Sequence, residues 1–577
     1  MRDRRIIKRL VILSIVVTLC MGFSGTLPKK LDPLAPDSIY LNGTIITMDD
    51  NNTNAEAVAV KDGKIIAVGS NKDIRKLAGK STKTIDLKNK VMLPGLIDAH
   101  SHFPSPGLVG TVYANLNSPP VGTIVKIQDI INVLVVHSEY TEEGEWILGR
   151  GYDQTLIEER RHPTKEDLDQ VSADNPIFIT HTSGHLAAAN SAALKLAGIT
   201  KDTPDPAGGK IWRDSKTGEP TGVLEEGAMQ LVSKHVPPVS FEENITAVKE
   251  AVKEYVSNGV TTSIIAAGGK ESIINLQKFS EQGLLPIRIT TMGTGGGLGD
   301  LGQSPGEMGG FITGFGNDML KLGAVKMWQD GSIQGYTGYL SKPYHLPPDD
   351  DPEYRGHPLQ SREKLAEKVS ELHKAGYQIA IHGNGDAAID DILYAFRKAQ
   401  EEFPRKDARH RIEHAQMARE DQLDDMKELG ITPSFYVSHT FFWGDQHWEI
   451  FMGPERAARM SPLKSAVKRD IKFSVHLDSP VTPMSPLQAV WSGVNRITRS
   501  GEVVGPEQRV TPLEALRAVT IDAAWQNFEE DIKGSIEPGK YADFVVLDNN
   551  PLTIDPVKIK DIKILETIVN DKTVYKK

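Results

Sequence analysis

The chain has 577 residues, which leaves room for one large α/β barrel with attached domains, because such barrels commonly exceed about 250 residues. Apolar residues make up 39% and charged residues 25%, which excludes a polytopic membrane protein, a collagen-like chain and a fully disordered one. The 66 basic and 76 acidic residues give a net charge of −10, so we expect no nucleic-acid partner. The only cysteine, Cys20, excludes a disulfide framework and a zinc site built from cysteines.

Residues 1–28 differ in composition from the rest of the chain. Five basic residues precede an apolar run from Leu10 to Phe23, and this run is shorter than the roughly 20 apolar residues that a spanning helix needs. Small residues follow it, as they do before the cleavage site of a secretory signal peptide. We therefore expect a signal peptide and an exported protein, with an uncleaved anchor that tethers the protein to the membrane as the alternative.

Short strand patterns stand at both ends of the remaining chain. Residues 39–47 predict a hairpin that turns at Asn42-Gly43, and residues 57–69 predict a second hairpin. Residues 568–575 predict another strand pair near the C-terminus. Both ends would therefore contribute to one small β-sandwich domain, made of residues 37–92 and 530–577.

Between these ends, apolar strands alternate with amphipathic helical patterns such as residues 362–375 and 387–402. The candidate strands are Val91–Asp98, Gly259–Ala266, Pro286–Met292, Leu322–Met327, Tyr377–His382, Arg411–His414, Ile431–Phe435 and Phe473–Asp478. Strand–helix alternation of this kind predicts the α/β class and a (β/α)₈ TIM-like barrel over residues 93–529. Residues 103–237 break the alternation and are too long for a loop, so we expect an inserted subdomain after the first barrel strand.

Histidine and aspartate recur where candidate strands end. His100 and His102 follow the first strand, and alternate residues of an extended chain point to one face, so both can reach one metal ion. Three later strands end at His382, His414 and Asp478. Because these barrels build their active sites at the C-terminal ends of strands, the pattern predicts a shared metal site.

Lys326 lies within an apolar strand, where an unpaired ammonium group would be costly to bury. Its amine can react with carbon dioxide to form a carbamate, an anionic group that can bridge two cations. Two other interpretations remain open: a lysine paired with a strand carboxylate, and a lysine that forms a Schiff base with a substrate.

Seven motifs together resemble the amidohydrolase superfamily, and within it the amidohydrolase family 3 branch of YtcJ-like proteins and N-substituted formamide deformylases. They are PGLIDAHSH (94–102), GVTT (259–262), VKMWQDGS (325–332), IHGNGD (381–386), RIEHAQ (411–416), LDSPV (477–481) and GSIEPGKYADFVVLD (534–548). The resemblance extends from about residue 37 to the C-terminus. It implies a metal-dependent hydrolase of carbon–nitrogen bonds.

The resemblance also implies a set of site residues: His100, His102, Lys326, His382, His414 and Asp478. The first two histidines would hold one divalent ion and the last two a second, with zinc the expected metal and carboxylated lysine the bridge. A single-metal site with fewer ligands remains open. Asp478 would contact the first metal and act as general base, taking a proton as metal-activated water attacks the carbonyl of a small-molecule substrate.

Two other functions remain open at this level: a Schiff-base lyase or aldolase that uses Lys326, and a catalytically inactive binding protein on the same scaffold. The sequence does not predict the oligomeric state. Metal analysis and borohydride trapping separate the three functions, because only the lyase would be trapped with its substrate.

Further candidates for substrate binding are Tyr152, Asp153, His181, His185 and His476. The spacing of His181 and His185 puts both on one face if a helix starts there and runs to Leu196. A zinc pair, a substrate contact and a structural role all remain open for these two histidines. His476 stands where the family resemblance predicts a small residue, so it would line the pocket or support the neighbouring aspartate.

Overall fold

A computed structural model describes residues 35–294, 313–348 and 351–577. The segment assigned as signal peptide lies outside these residues, and export of the protein stays a prediction. Within the described ranges, no helix combines the length and the apolar character that crossing a bilayer requires.

Eight parallel strands form the central sheet, and we number them β1 to β8 in chain order. They are β1 (Leu96–Ser101), β2 (Val260–Gly268), β3 (Arg288–Thr294), β4 (Leu320–Trp328), β5 (Ile379–Gly383), β6 (Arg411–His414), β7 (Thr432–Phe435) and β8 (Ser474–Val475). Each strand pairs with the next one along the chain. After β8, the backbone N–H of Asp478 donates to the carbonyl of His100 at 3.2 Å, so the last and first strands meet. The predicted TIM-like barrel is confirmed.

Helices separate most of the barrel strands. The longer helices of the described chain are Ile127–Ser138, Phe241–Ser257, Lys270–Glu281, Arg362–Lys374, Asp386–Glu402, Glu420–Leu429 and Pro486–Asn495. Shorter ones are Asn71–Leu77, Ser105–Leu108, Lys165–Asp169, Ser191–Leu196, Met229–Ser233, His439–Phe442, Gly444–Gln446, Gly453–Arg459, Leu463–Lys468, Pro512–Arg517 and Ile521–Gln526. The helix that starts at Asp386 buries Ile389, Ile392 and Phe396 in the core. These buried residues recur at helical spacing, and for that reason the sequence pattern predicted this helix.

Two sheets built from the chain ends form the β-sandwich. The first runs in the order Lys64–Gly69, Ala57–Lys61, Ser38–Leu41, Lys83–Asp86, and the second in the order Lys572–Lys576, Ile564–Val569, Phe544–Leu547, Val91–Pro94, Thr44–Ile46, Asn54–Ala55. Phe544–Leu547 pairs antiparallel with Val91–Pro94, so both chain ends contribute to the second sheet. Tyr40 and Val58 of the first sheet share a core with Met92 of the second.

Two of the three terminal strand pairs are confirmed. Residues 57–69 form a hairpin, and so does the pair near the C-terminus. The hairpin at Asn42-Gly43 is wrong, because Ser38–Leu41 and Thr44–Ile46 belong to different sheets. The turn carries the chain across the sandwich, and each strand pairs elsewhere.

The strand that was expected over Val91–Asp98 is divided at Gly95. Its first half lies in the sandwich and its second half begins β1. A Cβ atom at Gly95 would stand 2.1 Å from Thr261 Oγ1, so this crossing point accepts glycine alone.

The insertion between β1 and β2 contains a six-stranded mixed sheet. Its order is Gly209–Arg213, Pro220–Glu226, Leu186–Ala189, Ile177–His181, Ile147–Tyr152, Ala114–Asn115. The helix expected from Leu186 to Leu196 is wrong in its first half, since residues 186–189 form a strand and the helix covers Ser191–Leu196. His181 therefore ends one strand and His185 precedes the next, and the two share no helix face.

Candidate active site

The metal-site candidates converge at the C-terminal ends of the barrel strands. Ligand atoms of His100, His414 and Asp478 lie within 4.8 Å of one another. His102 Nε2 lies 3.1 Å from Asp478 Oδ1, and the ring centroids of His382 and His414 are 4.5 Å apart. Side chains that are far apart in the sequence thus meet at one point of the barrel mouth.

The backbone at two of these positions is strained. His414 has a φ of 70° and Asp478 a φ of 54°, which is the left-handed region that residues other than glycine seldom occupy. Such conformations persist where the surrounding structure enforces them, and they concentrate at functional sites.

Asp478 is ionised at neutral pH. Burial raises the pKa of this carboxyl group, but its interactions with the nearby His102, His476 and Lys326 outweigh burial and hold the pKa well below its usual range. The carboxylate can therefore attract a cation or accept a proton.

A buried charge network fixes the ring of His100. Glu413 bonds His100 Nδ1 through one oxygen and accepts from Arg411 Nε through the other at 2.7 Å. Arg411 also donates to the carbonyl of Ala99 at 3.0 Å. The remaining ring nitrogen, Nε2, lies 3.5 Å from Asp478 Oδ1. Burial, and then the charge of the nearby lysine, lowers the pKa of His100, so its imidazole is neutral, as a metal ligand must be.

We expect Glu413→Gln to weaken metal binding by about 10- to 100-fold, because carboxylates that hold ligand histidines have effects of this size. Equilibrium competition with a coloured chelator measures the affinity. Glu254→Gln is the matched control, since Glu254 is a half-buried glutamate that accepts from the backbone of Met484 instead. Unchanged affinity in the Glu413 variant would show that this residue does not orient His100.

Asp330 plays the corresponding part for His382. Its Oδ1 lies 3.0 Å from His382 Nδ1, and it accepts from the backbone N–H groups of Asn384 at 3.0 Å and Gly385 at 2.8 Å. Sequence reasoning assigned no role to Asp330 or Glu413. A signal existed for the second, since Glu413 lies two residues from Arg411 on one strand, where the two share a face.

His476 lies among the ligand histidines. Its Nε2 is 3.0 Å from His414 Nδ1 and its Nδ1 is 2.9 Å from Ser434 Oγ. Its ring stacks on His100 with centroids 4.7 Å apart. Burial lowers the pKa of His476 to about 3. These contacts favour support of the metal-site candidates, and a direct substrate contact stays a prediction.

Lys326 is 1% exposed on β4. Burial lowers the pKa of its amine to about 8, against the opposite effect of Glu413 and Asp478. No acidic side chain of the described residues lies within ion-pair distance of this amine. A larger neutral fraction at pH 7 follows, and the neutral amine is the form that reacts with carbon dioxide or a carbonyl.

Comparison with known proteins identifies the family. A family model described as "Amidohydrolase family" matches residues 83–575. The putative amidohydrolase YtcJ of Bacillus subtilis is 30% identical over 552 residues, 94% of this chain and 99% of that protein. The protein belongs to the amidohydrolase family. The resemblance seen in the motifs is confirmed.

Two further relatives of this amidohydrolase are informative. The N-substituted formamide deformylase of Arthrobacter pascens is 29% identical over 549 residues, 94% of this chain and 98% of that enzyme. The crystal structure of an uncharacterised metal-dependent hydrolase from Pyrococcus horikoshii OT3 superposes with a TM-score of 0.70 at 26% identity, covering 90% of this chain and 99% of that one. The amidohydrolase is therefore a metal-dependent hydrolase that acts on carbon–nitrogen bonds.

Three candidate pocket residues of the amidohydrolase lie in a buried network. The hydroxyl of Tyr152 lies 3.2 Å from His162 Nδ1. Asp153 accepts from Trp443 Nε1 at 2.7 Å and lies 3.9 Å from His181 Nε2. Tyr152, Asp153 and His181 are at most 1% exposed. These contacts favour a structural role for Tyr152 and Asp153, and a substrate contact by any of the three stays a prediction.

His185 instead reaches the metal-site candidates. Its Nδ1 lies 2.9 Å from Glu226 Oε1, and its ring centroid is 5.2 Å from that of His382. Burial lowers the pKa of His185, but the carboxylate of Glu226 outweighs burial and raises it. His185 is thus placed to donate a hydrogen bond at the barrel mouth.

Proposed function

We propose that this amidohydrolase cleaves an amide or N-formyl bond of a small molecule with the help of one or two divalent cations, zinc being the expected metal. The convergence of His100, His414 and Asp478 within 4.8 Å carries the proposal. Similarity to an N-substituted formamide deformylase supports the choice of bond.

The donor set fits a divalent cation. Neutral imidazole nitrogens and an ionised carboxylate are ligands that zinc accepts. Asp478 Oδ1 is buried and accepts no well-directed hydrogen bond from the described residues, although it faces two histidines. In this proposal His100, His102 and Asp478 hold one ion. His382 and His414 would hold a second where two are present, and a carbamate on Lys326 would supply an anionic ligand to both.

The residues of the chain have separate roles in this reaction. A bound divalent cation supplies Lewis-acid activation of water and of the scissile carbonyl. Asp478 accepts the proton of the attacking water and returns it to the departing amine nitrogen. Glu413 and Asp330 keep the rings of His100 and His382 in place throughout. The products are an amine and a carboxylate, formate when the substrate is a formamide.

The test is amine release from a panel of N-formyl and N-acetyl derivatives of small amines by the purified full-length protein. We expect release that stops after dialysis against a chelator and returns on addition of Zn²⁺. Turnover that survives complete metal removal would contradict the proposal. Trapping of a substrate on Lys326 by borohydride would favour the Schiff-base lyase instead.

A further inference from the structure

One arginine of the inserted sheet has no counter-ion among the residues that the structure describes. Arg150 lies on the strand Ile147–Tyr152, and within the described ranges it has neither an acidic side chain at ion-pair distance nor a hydrogen-bond partner. Burial lowers the pKa of this guanidinium, which stays charged at neutral pH. The side chain is only half-buried, so an anion that reaches it meets a cation that no acidic side chain of the described residues already holds.

Three fully buried arginines of this protein, by contrast, donate to carboxylates or backbone carbonyls. Arg288 donates to Asp543 at 2.7 Å, and Arg411 is bonded to Glu413 at the same distance. Arg496 donates to three backbone carbonyls at 2.7 to 3.1 Å. The fold thus supplies partners for structural arginines, and Arg150 differs from these three.

Arg150 borders a cavity of about 280 Å³. Its lining includes Tyr113, Leu148, Arg150, Phe178, Thr180 and Val236. Burial raises the pKa of the Tyr113 phenol, and the charge of the nearby Arg150 opposes that rise. The cavity combines apolar walls with one cation and the side chains of a tyrosine and a threonine, which suits a small organic anion.

This cavity lies beside the metal-site candidates. It shares Pro238 and Val239 with a second cavity of about 320 Å³, and His102 lines that second cavity. A Cβ atom at Gly184 would stand 3.7 Å from Arg150 Nη2, and the next residue is His185. The charge of Asp478 also acts on Arg150. A small molecule with its scissile bond at Asp478 therefore has Arg150 within reach.

We propose that Arg150 binds a carboxylate of the substrate, so that the preferred substrates are N-formyl or N-acyl amino acids and similar anionic amides. This inference rests on the proposed amide hydrolysis. Guanidinium binds carboxylate through two parallel hydrogen bonds, and a carboxylate would neutralise the cation that the fold leaves unpaired.

The test compares N-formyl-leucine, each enantiomer separately, with N-(3-methylbutyl)formamide, which is the same molecule without its carboxylate. We expect the wild-type kcat/KM to favour the better enantiomer over the neutral compound by about 100-fold, the size of one charged hydrogen-bond pair. Arg150→Met should lose that preference through a higher KM for N-formyl-leucine, with the neutral compound changed by less than about threefold, because the lost contact is made in ground and transition states alike.

Arg161→Met is the matched control, because Arg161 lies in the same insertion but is exposed and paired with Asp167; both substrates should be unaffected. Arg150→Lys keeps the cation and should retain part of the preference for N-formyl-leucine. This variant tests the inference if the methionine variant does not fold. Equal wild-type kcat/KM on the two compounds, or an equal loss on both in the variants, would overturn the inference.

Calorimetric binding of N-formyl-leucine to the zinc-loaded protein separates this inference from the proposed function. Binding that depends on Arg150 without any hydrolysis would leave the anion site standing and remove the amidase reaction. Hydrolysis of both compounds without Arg150-dependent binding would support the amidase reaction and remove the anion site.

Discussion

Replacing Asp478 by asparagine is expected to lower kcat by about 10³-fold or more, a size typical of losing a general base, while the protein keeps most of its metal. Asparagine retains an oxygen that can face a cation, but its amide cannot accept the proton of the attacking water. The ionised state of Asp478, held by His102 despite burial, is what the substitution removes. The measurement is kcat on the best amide substrate, with the metal content of the same preparation.

Asp522→Asn provides the control for this substitution. Asp522 is largely buried in the helix Ile521–Gln526. This helix comes shortly after Val519, whose backbone carbonyl accepts a hydrogen bond from the start of β1. The Asp522→Asn substitution should leave turnover unchanged. Full turnover in the Asp478 variant would remove this residue from the reaction, and loss of metal together with activity would restrict it to ligand binding.

Replacing Lys326 by alanine is expected to lower metal affinity by at least about 100-fold, the upper range for groups that only orient ligands, with a similar or larger loss of kcat/KM. The reason is that β4 carries no carboxylate of its own, so a carbamate on the buried amine would be the anionic ligand that this strand supplies. Metal content after gel filtration and kcat/KM at saturating Zn²⁺ measure the two effects.

Chemical rescue distinguishes the carbamate from a simple packing role. Acetate or propionate should restore metal and activity to Lys326→Ala, because a small carboxylate can occupy the space of the lost group. Acetamide and propionamide have the same size without the charge and should restore neither. A variant that holds full metal without any additive would rule out the bridging role.

The barrel could be predicted because its signals are local. Several barrel strands, β5 among them, are short apolar runs, and chemically active residues stand where the barrel strands end. The prediction for β6, Arg411–His414, agrees with the structure at both ends. The side chains at these ends then meet because parallel strands of a closed barrel share one rim.

Tertiary pairing decided what local signals could not. The alanine-rich segment after His185 has the composition of a helix, yet Leu186–Ala189 forms a strand between Ile177–His181 and Pro220–Glu226. Cross-strand packing overrides intrinsic preference in such cases. Asn42-Gly43 is a favourable hairpin turn, yet the strands on either side pair with partners elsewhere in the chain. The contact between Glu413 and His100 spans 313 residues, so no local pattern could reveal it.

Anomalous diffraction from crystals of the zinc-loaded protein tests the central claim most directly. The account predicts a peak at the barrel mouth within about 2.0 to 2.3 Å of donor atoms, the usual zinc distances, with His100, His414 and Asp478 among its neighbours. A protein that binds no divalent cation, or a peak away from these three side chains, would contradict it.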